Sequence, residues 1–317
     1  MSLLCLMLLA ANAAPEPVDD EVILFSYFVN NGEDGVHLAW SEDGWNFEVL
    51  GNGRSYLAPG PVEGTLMRDP SIHRGPDGIY RMVWTSGWER PSIGYAWSRD
   101  LLEWHDQQLI EVMENHPGTR NVWAPEIFYD ARTNEYLIYW ASTIPGRYQA
   151  GADTGDDGYN HRMYLTTTRD FQTFTPARLL YNNDFNVIDA TIVERAGTYY
   201  LIMKDETLVP PAKNLRVATS SRATGGYGPA GPAFTESWVE GPSVIKVGDE
   251  YVVYYDYYVR RAYGASKSTD LLNWEKIEGD VNLPPRIHHG TALWVPRADV
   301  QRLIDAHPAP AAAEDQP

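Results

Sequence analysis

The sequence predicts an all-β fold, a β-propeller of five blades. Three observations carry that reading: one short phrase recurs five times, strand-like runs come in pairs between its copies, and helical periodicity is nearly absent. In the phrase, an apolar run enters Ser or Thr, then a turn with Asp or Gly, then an aromatic. The copies are Ser41-Glu42-Asp43-Gly44-Trp45, Ser98-Arg99-Asp100 with Trp104, Thr168-Arg169-Asp170 with Phe174, Ser220 with Gly225-Gly226-Tyr227, and Ser268-Thr269-Asp270 with Trp274. Their first residues lie 57, 70, 52 and 48 positions apart. That is the length of a four-stranded antiparallel blade with variable loops.

The paired runs span 80–85 and 93–97, 136–140 and 163–167, 199–203 and 215–219, and 251–255 and 263–266. Each pair follows an apolar segment carrying a polar residue, which suits the innermost strand of a blade. These segments are Arg68-Asp69-Pro70-Ser71-Ile72, Trp123-Ala124-Pro125-Glu126-Ile127, Ile188-Asp189-Ala190-Thr191-Ile192 and Val239-Glu240-Gly241-Pro242-Ser243-Val244. A fifth, His288-His289-Gly290-Thr291-Ala292-Leu293, has almost no chain after it, while 23–28, 36–40 and 47–50 supply three strands without an inner one. Joining the C-terminal strand to the N-terminal three closes the fifth blade and removes the open edge of the ring. The propeller should occupy 21–300, followed by a tail at 301–317 that is disordered beyond His307.

The chain has 317 residues and a net charge of −18, with no Lys/Arg cluster, which excludes a phosphate-binding footprint for nucleic acid. Its 11 Trp and 20 Tyr exceed what an ordinary core needs. Most should fill strand faces, and a few suit a sugar site, where a ring packs against the apolar face of a pyranose or furanose. Residues 3–11 form an apolar run followed by Asn12-Ala13-Ala14 and Pro15, the pattern of a secretory signal without a basic n-region. Residues 1–20 are therefore expected to be a signal segment and linker, and the protein a periplasmic or extracellular monomer. The single cysteine, Cys5, lies inside that segment, so the mature domain is expected to lack disulfides. No later stretch has the length of a membrane span.

In a propeller the innermost strands line a central channel, so their polar residues converge at one mouth. Here that gathers Asp69, Glu126, Asp189, Glu240 and His289, spaced by 57, 63, 51 and 49 residues in step with the blades. Singly, each has an ordinary structural reading: Asp69 before Pro70 as a turn residue, Glu126 after Pro125 as a partner for backbone donors or for substrate, Asp189 and Glu240 as surface groups. Together they are four carboxylates in apolar strands, an arrangement whose desolvation and repulsion point to a ligand, a metal or catalysis.

The ordered set Arg68-Asp69-Pro70, Trp123-Ala124-Pro125-Glu126-Ile127, Ile188-Asp189-Ala190, Glu240-Gly241-Pro242 and His289-Gly290-Thr291 resembles glycoside hydrolase family 43, over about 23–296. The resemblance implies an inverting five-bladed propeller enzyme of the arabinofuranosidase, arabinanase or xylosidase type. It implies Asp69 as general base, Glu240 as general acid and Asp189 as the carboxylate that tunes the acid and orients substrate. It also implies His289 as a central histidine that helps hold a calcium ion and its waters in the channel; the chemistry itself requires no cofactor. Glu126 departs from the family pattern, where many members have Asp, and bears on substrate contacts. Inverting hydrolysis needs acid and base roughly 6.5 to 9.5 Å apart so that water fits between base and sugar, a gap that opposite blades supply. Like-charge repulsion from Asp189 would favour the protonated form of Glu240, making the two a coupled pair.

Further candidate sugar contacts are Trp84, Trp88, Trp123, His161, Arg162, Lys204 and Asp205, of which about half are expected to touch substrate. The insertion 146–162, with Asp153, Asp156 and Asp157, reads as a solvated loop that could cover the pocket, and it lacks EF-hand spacing. Two other readings keep the fold. Phosphorolysis would need a cationic cluster at the mouth and is opposed by Asp69 at the base position. A propeller that only binds glycans would have lost the alignment of its carboxylates. The long early loops favour an exo-acting pocket, and arabinofuranosidase is the substrate class chosen over β-xylosidase, galactosidase or galactofuranosidase.

Overall fold

In the computed structural model, residues 20–60, 65–152, 154–279 and 281–308 are described. The expectations for the signal segment with Cys5, for Asp153 and for the chain beyond Pro308 lie outside these residues. Strands β1 (Glu21–Val29), β2 (His37–Ser41) and β3 (Glu48–Val49) open the chain. The first complete blade is β4 (Arg68–Arg74), β5 (Tyr80–Thr85), β6 (Ile93–Ser98) and β7 (Trp104–Ile110). The second is β8 (Trp123–Asp130), β9 (Glu135–Ser142), β10 (Arg162–Thr168) and β11 (Arg178–Tyr181). The third has β12 (Val187–Arg195), β13 (Thr198–Asp205) and β14 (Asn214–Ser220). The fourth has β15 (Glu240–Val247), β16 (Glu250–Tyr257), β17 (Ala262–Ser268) and β18 (Glu275–Lys276). Finally β19 (Ile287–Pro296) pairs antiparallel with β1, from Glu21 opposite Pro296 to Val29 opposite Ile287, and closes the fifth blade in the order β19-β1-β2-β3. The ring is closed as its sequence pattern predicts.

The recurring phrase is the turn between the third and fourth strands of a blade. Ser98 Oγ accepts the Leu101 amide at 2.8 Å, while Asp100 Oδ1 accepts the amides of Leu102 and Glu103, both at 2.9 Å. The same bonds recur at Ser41/Asp43, Thr168/Asp170 and Ser268/Asp270. The residue after each Asp (Gly44, Leu101, Phe171 and Leu271) takes a left-handed φ, and the side-chain oxygens hold the turn in that conformation.

The third blade departs from the pattern. Arg222 stands where the other copies have Asp, and no fourth strand forms. Instead 221–239, rich in Gly and Pro, covers the edge through Gly228, Gly231 and Phe234, whose amides reach the carbonyls of Thr219, Val217 and Leu215. Proline cannot donate to a ladder, so a regular strand is blocked there.

Five apolar layers fill the spaces between neighbouring blades, and the smallest, around Leu215, Val239, Val253 and Tyr255, lies beside this irregular edge. The expected tail begins instead as helix α1 (Arg297–Ala306), which crosses the boundary at 301. It buries Val300 and Leu303 in the layer between the fifth and first blades, and Tyr80 donates to Asp299 at 2.6 Å. Two apolar residues three apart in a short segment are a weak periodic signal, which is why the sequence pattern missed it.

Candidate active site

Each innermost strand carries one extra residue at the same level of the ring. The ladder slips between Arg68 and Ser71 on β4, Trp123 and Glu126 on β8, Ile188 and Ala190 on β12, and Glu240 and Ser243 on β15; on β19 it slips at His289 and Gly290, opposite Tyr27. Four of these bulges contain a left-handed residue: Asp69 (φ 51°), Ala124 (47°), Asp189 (47°) and Gly241 (59°). A bulge re-aims its side chains, and here it turns the polar group of each strand toward the axis. Gly241 is required on two counts. Its φ is left-handed, and a Cβ there would lie 2.7 Å from the His289 ring.

The five predicted residues are brought together. His289 Nδ1 lies 3.5 Å from Asp69 Oδ1 and 3.9 Å from Asp189 Oδ1. Asp69 Oδ2 accepts the Thr85 hydroxyl at 2.7 Å, and Thr85 Oγ1 in turn accepts the Ala124 amide at 2.8 Å. Asp189 Oδ2 accepts the amide of Gly241 at 3.2 Å. Glu126 accepts the hydroxyls of Ser71 (3.3 Å) and Thr291 (3.2 Å). Glu240 Oε2 takes the Lys204 ammonium at 2.9 Å, and its side chain, 28% exposed, is the most open of the four carboxylates.

Burial sets the electrostatics. It pushes the Glu126 carboxyl up to about 7 against the opposing pull of His289. Asp189 rises to about 6, first through burial and then through the charges of Glu240 and Asp69, with His289 and Lys204 acting against the rise. Burial alone would lower the His289 pKa, but Asp189, Asp69, Glu126 and Glu240 outweigh it and raise it above the ordinary histidine value. Lys204 is likewise held charged, since Glu240, Glu206 and Asp189 overcome its desolvation. Asp189 is thus faced by the His289 cation, while Glu240 is paired with Lys204.

Beside this cluster is a cavity of about 530 Å³ lined by Trp88, Trp123, Tyr159, His161, Arg120 and Glu206 among others. Trp88 is 46% exposed and packs edge-on against Trp123 at 5.4 Å, and Arg68 lies over its ring at 4.3 Å. His161 is buried, with Nδ1 at Asn186 Oδ1 (3.2 Å) and Nε2 without a protein partner. Its pKa is lowered to about 4 by burial, so the ring is neutral.

Three of the further candidates do not face this space. Trp84 is enclosed in the layer between the first and fifth blades. Arg162 has no exposed surface; its guanidinium bonds Asn182, Asn160 and the carbonyls of His161 and Ala150, which ties the 146–162 loop to its blade. Asp205 pairs with Arg216 at 3.1 Å, away from the axis.

Strand alternation turns Trp84 and Asp205 away from the axis and their next neighbours toward it. Thr85, one residue after Trp84, reaches the axial side, as does Glu206 after Asp205. Glu206 bonds both Lys204 and Lys213, and Lys213 continues to Asp156 at 3.0 Å, so the insertion loop is joined by charge to the axial cluster. For calcium, no group of three or more His, Cys, Asp or Glu among the described residues is arranged to hold a metal. His289 faces the carboxylates of Asp69 and Asp189.

Among curated proteins, the chain is 26% identical over 203 residues to an α-L-arabinofuranosidase of Bifidobacterium longum subsp. longum, covering 56% of this chain and 19% of that protein. It is 28% identical over 99 residues to a probable arabinan endo-1,5-α-L-arabinosidase C of Aspergillus terreus, covering 29% and 30%. The matches thus span less than a third of either relative. Among solved structures, the α-L-arabinofuranosidase of Lactobacillus brevis superposes with a TM-score of 0.53 at 19% identity, over 68% of this chain and 73% of that one. A thermostable family-43 glycoside hydrolase gives 0.51 at 17% identity, over 70% and 75%. These likenesses establish the shared propeller fold. A family model described as a probable glycosyl hydrolase domain, related to glycoside hydrolase family 43, matches residues 20–301, and the chain belongs to that family.

Proposed function

We propose that this protein is an inverting, exo-acting glycoside hydrolase of the α-L-arabinofuranosidase type, acting on a side chain or oligosaccharide. The observation that carries the reading is the axial cluster itself: Asp69 and Glu240 on separate blades, with Asp189 and His289 between them. In the proposed reaction Glu240 protonates the glycosidic oxygen as the bond from the anomeric carbon to that oxygen breaks. Asp69 removes a proton from a water whose oxygen attacks the same carbon from the opposite face. Exchange with solvent then returns a proton to Glu240 and removes one from Asp69. Asp189, anchored to the Gly241 amide and facing His289, orients the substrate beside the acid. Thr85 fixes the Asp69 carboxylate so that one oxygen is directed by its hydroxyl and the other is left near His289.

Water rather than phosphate is favoured as the acceptor. Lys204 is bonded to Glu240 and Glu206, and Arg120 to Glu89. A phosphate dianion would meet these carboxylates along with Asp69. The test compares wild type and Glu240→Gln on nitrophenyl α-L-arabinofuranoside, β-xyloside, β-galactoside and β-galactofuranoside, with and without phosphate. Phosphate-independent release from the arabinofuranoside is expected from wild type, and on arabinobiose, whose sugar leaving group needs protonation, the variant is expected to lose roughly a thousandfold. Undiminished activity of Glu240→Gln on arabinobiose would remove it as the acid, and preference for another nitrophenyl glycoside would replace the sugar.

A further inference from the structure

Two aromatic groups flank the axial cluster. Trp88 and Trp123 stand on the side of Asp69. On the side of Glu240, Trp238 precedes the first residue of β15 by two positions, and Tyr258 directly follows β16. Because β15 and β16 are antiparallel, with Glu240 opposite Asp256, the start of one and the end of the other lie at the same mouth of the ring.

The rings of Trp238 and Tyr258 meet edge-on at 6.3 Å and 65°. The Lys204 ammonium, bonded to Glu240 at 2.9 Å, sits 4.8 Å from the Tyr258 ring centre. The pair is therefore contiguous with the proposed acid. Trp238 is 40% exposed, although its neighbour Val239 is fully buried. Its φ of 70° is in the left-handed region, uncommon for a bulky residue and costly in conformational energy. The indole is held at that cost with a large part of its surface open to solvent and its edge against Tyr258.

We infer that Trp238 and Tyr258 form a second carbohydrate subsite, which holds the sugar on the leaving-group side of the scissile bond. In an inverting mechanism the acid must touch the departing oxygen, so the leaving sugar lies on the side of Glu240 and away from Asp69. Its hydroxyls would reach the charged groups of Lys204 and Glu240, and its apolar face would rest on the indole. The occupant is an uncharged sugar residue. Burial among Glu240, Glu206 and Lys204 offers no unpaired cation for a uronate. The inference rests on Glu240 being the acid.

The test separates the subsite from that assignment. Trp238→Gly removes the ring at a position whose backbone glycine accepts, and Trp238→Phe retains an aromatic face. On arabinotriose, kcat/KM of Trp238→Gly is expected to fall at least about tenfold, and that of Trp238→Phe by less than about threefold. On methyl α-L-arabinofuranoside, whose leaving group is a single carbon, both should stay within about twofold of wild type. Equal losses on both substrates, or none on arabinotriose, would overturn the subsite.

A binding arm does not depend on turnover. In a Glu240→Gln background, tryptophan fluorescence is titrated with arabinotriose, xylotriose and β-1,3-galactotriose. Saturable binding of one of them, weakened about tenfold by the added Trp238→Gly, supports the subsite even if the preferred sugar differs from arabinose. No binding of any of the three, or binding indifferent to Trp238, would overturn it.

Discussion

Aspartates serve two purposes in this propeller, and the contrast shows how one residue type is committed either to structure or to chemistry. In the outer turns, Asp43, Asp100, Asp170 and Asp270 each accept two backbone amides near the surface. These bonds hold all four carboxyls below the usual aspartate range; for Asp43 and Asp100 they do so against the opposing effect of burial. On the inner strands, Asp69 and Asp189 are themselves the left-handed residues of bulges. Asp189 accepts a single amide, is nearly enclosed, and its pKa goes the other way, to about 6. Abundant amide donors make a carboxylate a fixed anion, while scarcity of donors plus burial makes one that can exchange a proton.

Substitutions should separate the two classes, beginning with the largest effect. Asp69→Asn keeps shape and removes the proposed base; kcat is expected to fall by at least about a thousandfold with little change in melting temperature, and a small activity loss would place the base elsewhere. Asp189→Asn should reduce kcat by a smaller factor, about ten to a hundredfold, because it leaves acid and base in place and alters their surroundings; kinetics across pH 4–8 would check this.

Glu126 gives a stability prediction with a definite sign. Its folded-state pKa of about 7 exceeds its ordinary value of 4.5, so between those values the folded chain holds a proton that the unfolded chain has lost. Stability therefore falls as pH rises through that window, by as much as about 3 kcal/mol at 1.36 kcal/mol per unit. Glu126→Gln should melt higher relative to wild type at pH 8 than at pH 5, and a pH-independent difference would contradict the assignment of burial as the cause.

The outer turns predict the reverse slope and the smallest effect. Asp100→Ala should cost about 1 kcal/mol, the usual size of a lost side-chain cap, with no effect on kcat. Because the folded Asp100 pKa is depressed, its contribution is present above about pH 4 and is lost as pH falls toward the folded value. Thermal melts at pH 7 and pH 3 would measure the two ends.

Much of this arrangement was legible in the sequence because propeller blades repeat. The interval between Asp69, Glu126, Asp189, Glu240 and His289 marks one level of the ring, and apolar neighbours mark the strands. What escaped was local. The bulges leave no composition signal, apart from Gly241, so their role in aiming Asp69 and Asp189 is visible only in the ladder register. Trp84 and Asp205 lie near strand ends, but alternation along β5 and β13 turns them away from the axis. Arg162 reads as a ligand by residue type, yet it is consumed by the loop it anchors. Trp238 follows the irregular edge of the third blade, where the repeat itself lapses, and periodicity could not point to it.

The central claim is that Asp69 and Glu240 work across the axis with a water between the base and the sugar. It is tested most directly by following hydrolysis of the arabinofuranoside by proton NMR and identifying the anomer released before mutarotation. β-L-Arabinofuranose, the inverted product, is expected as the first-formed sugar. First release of the α anomer would show retention, and would contradict water attack directed by Asp69 opposite a leaving group protonated by Glu240.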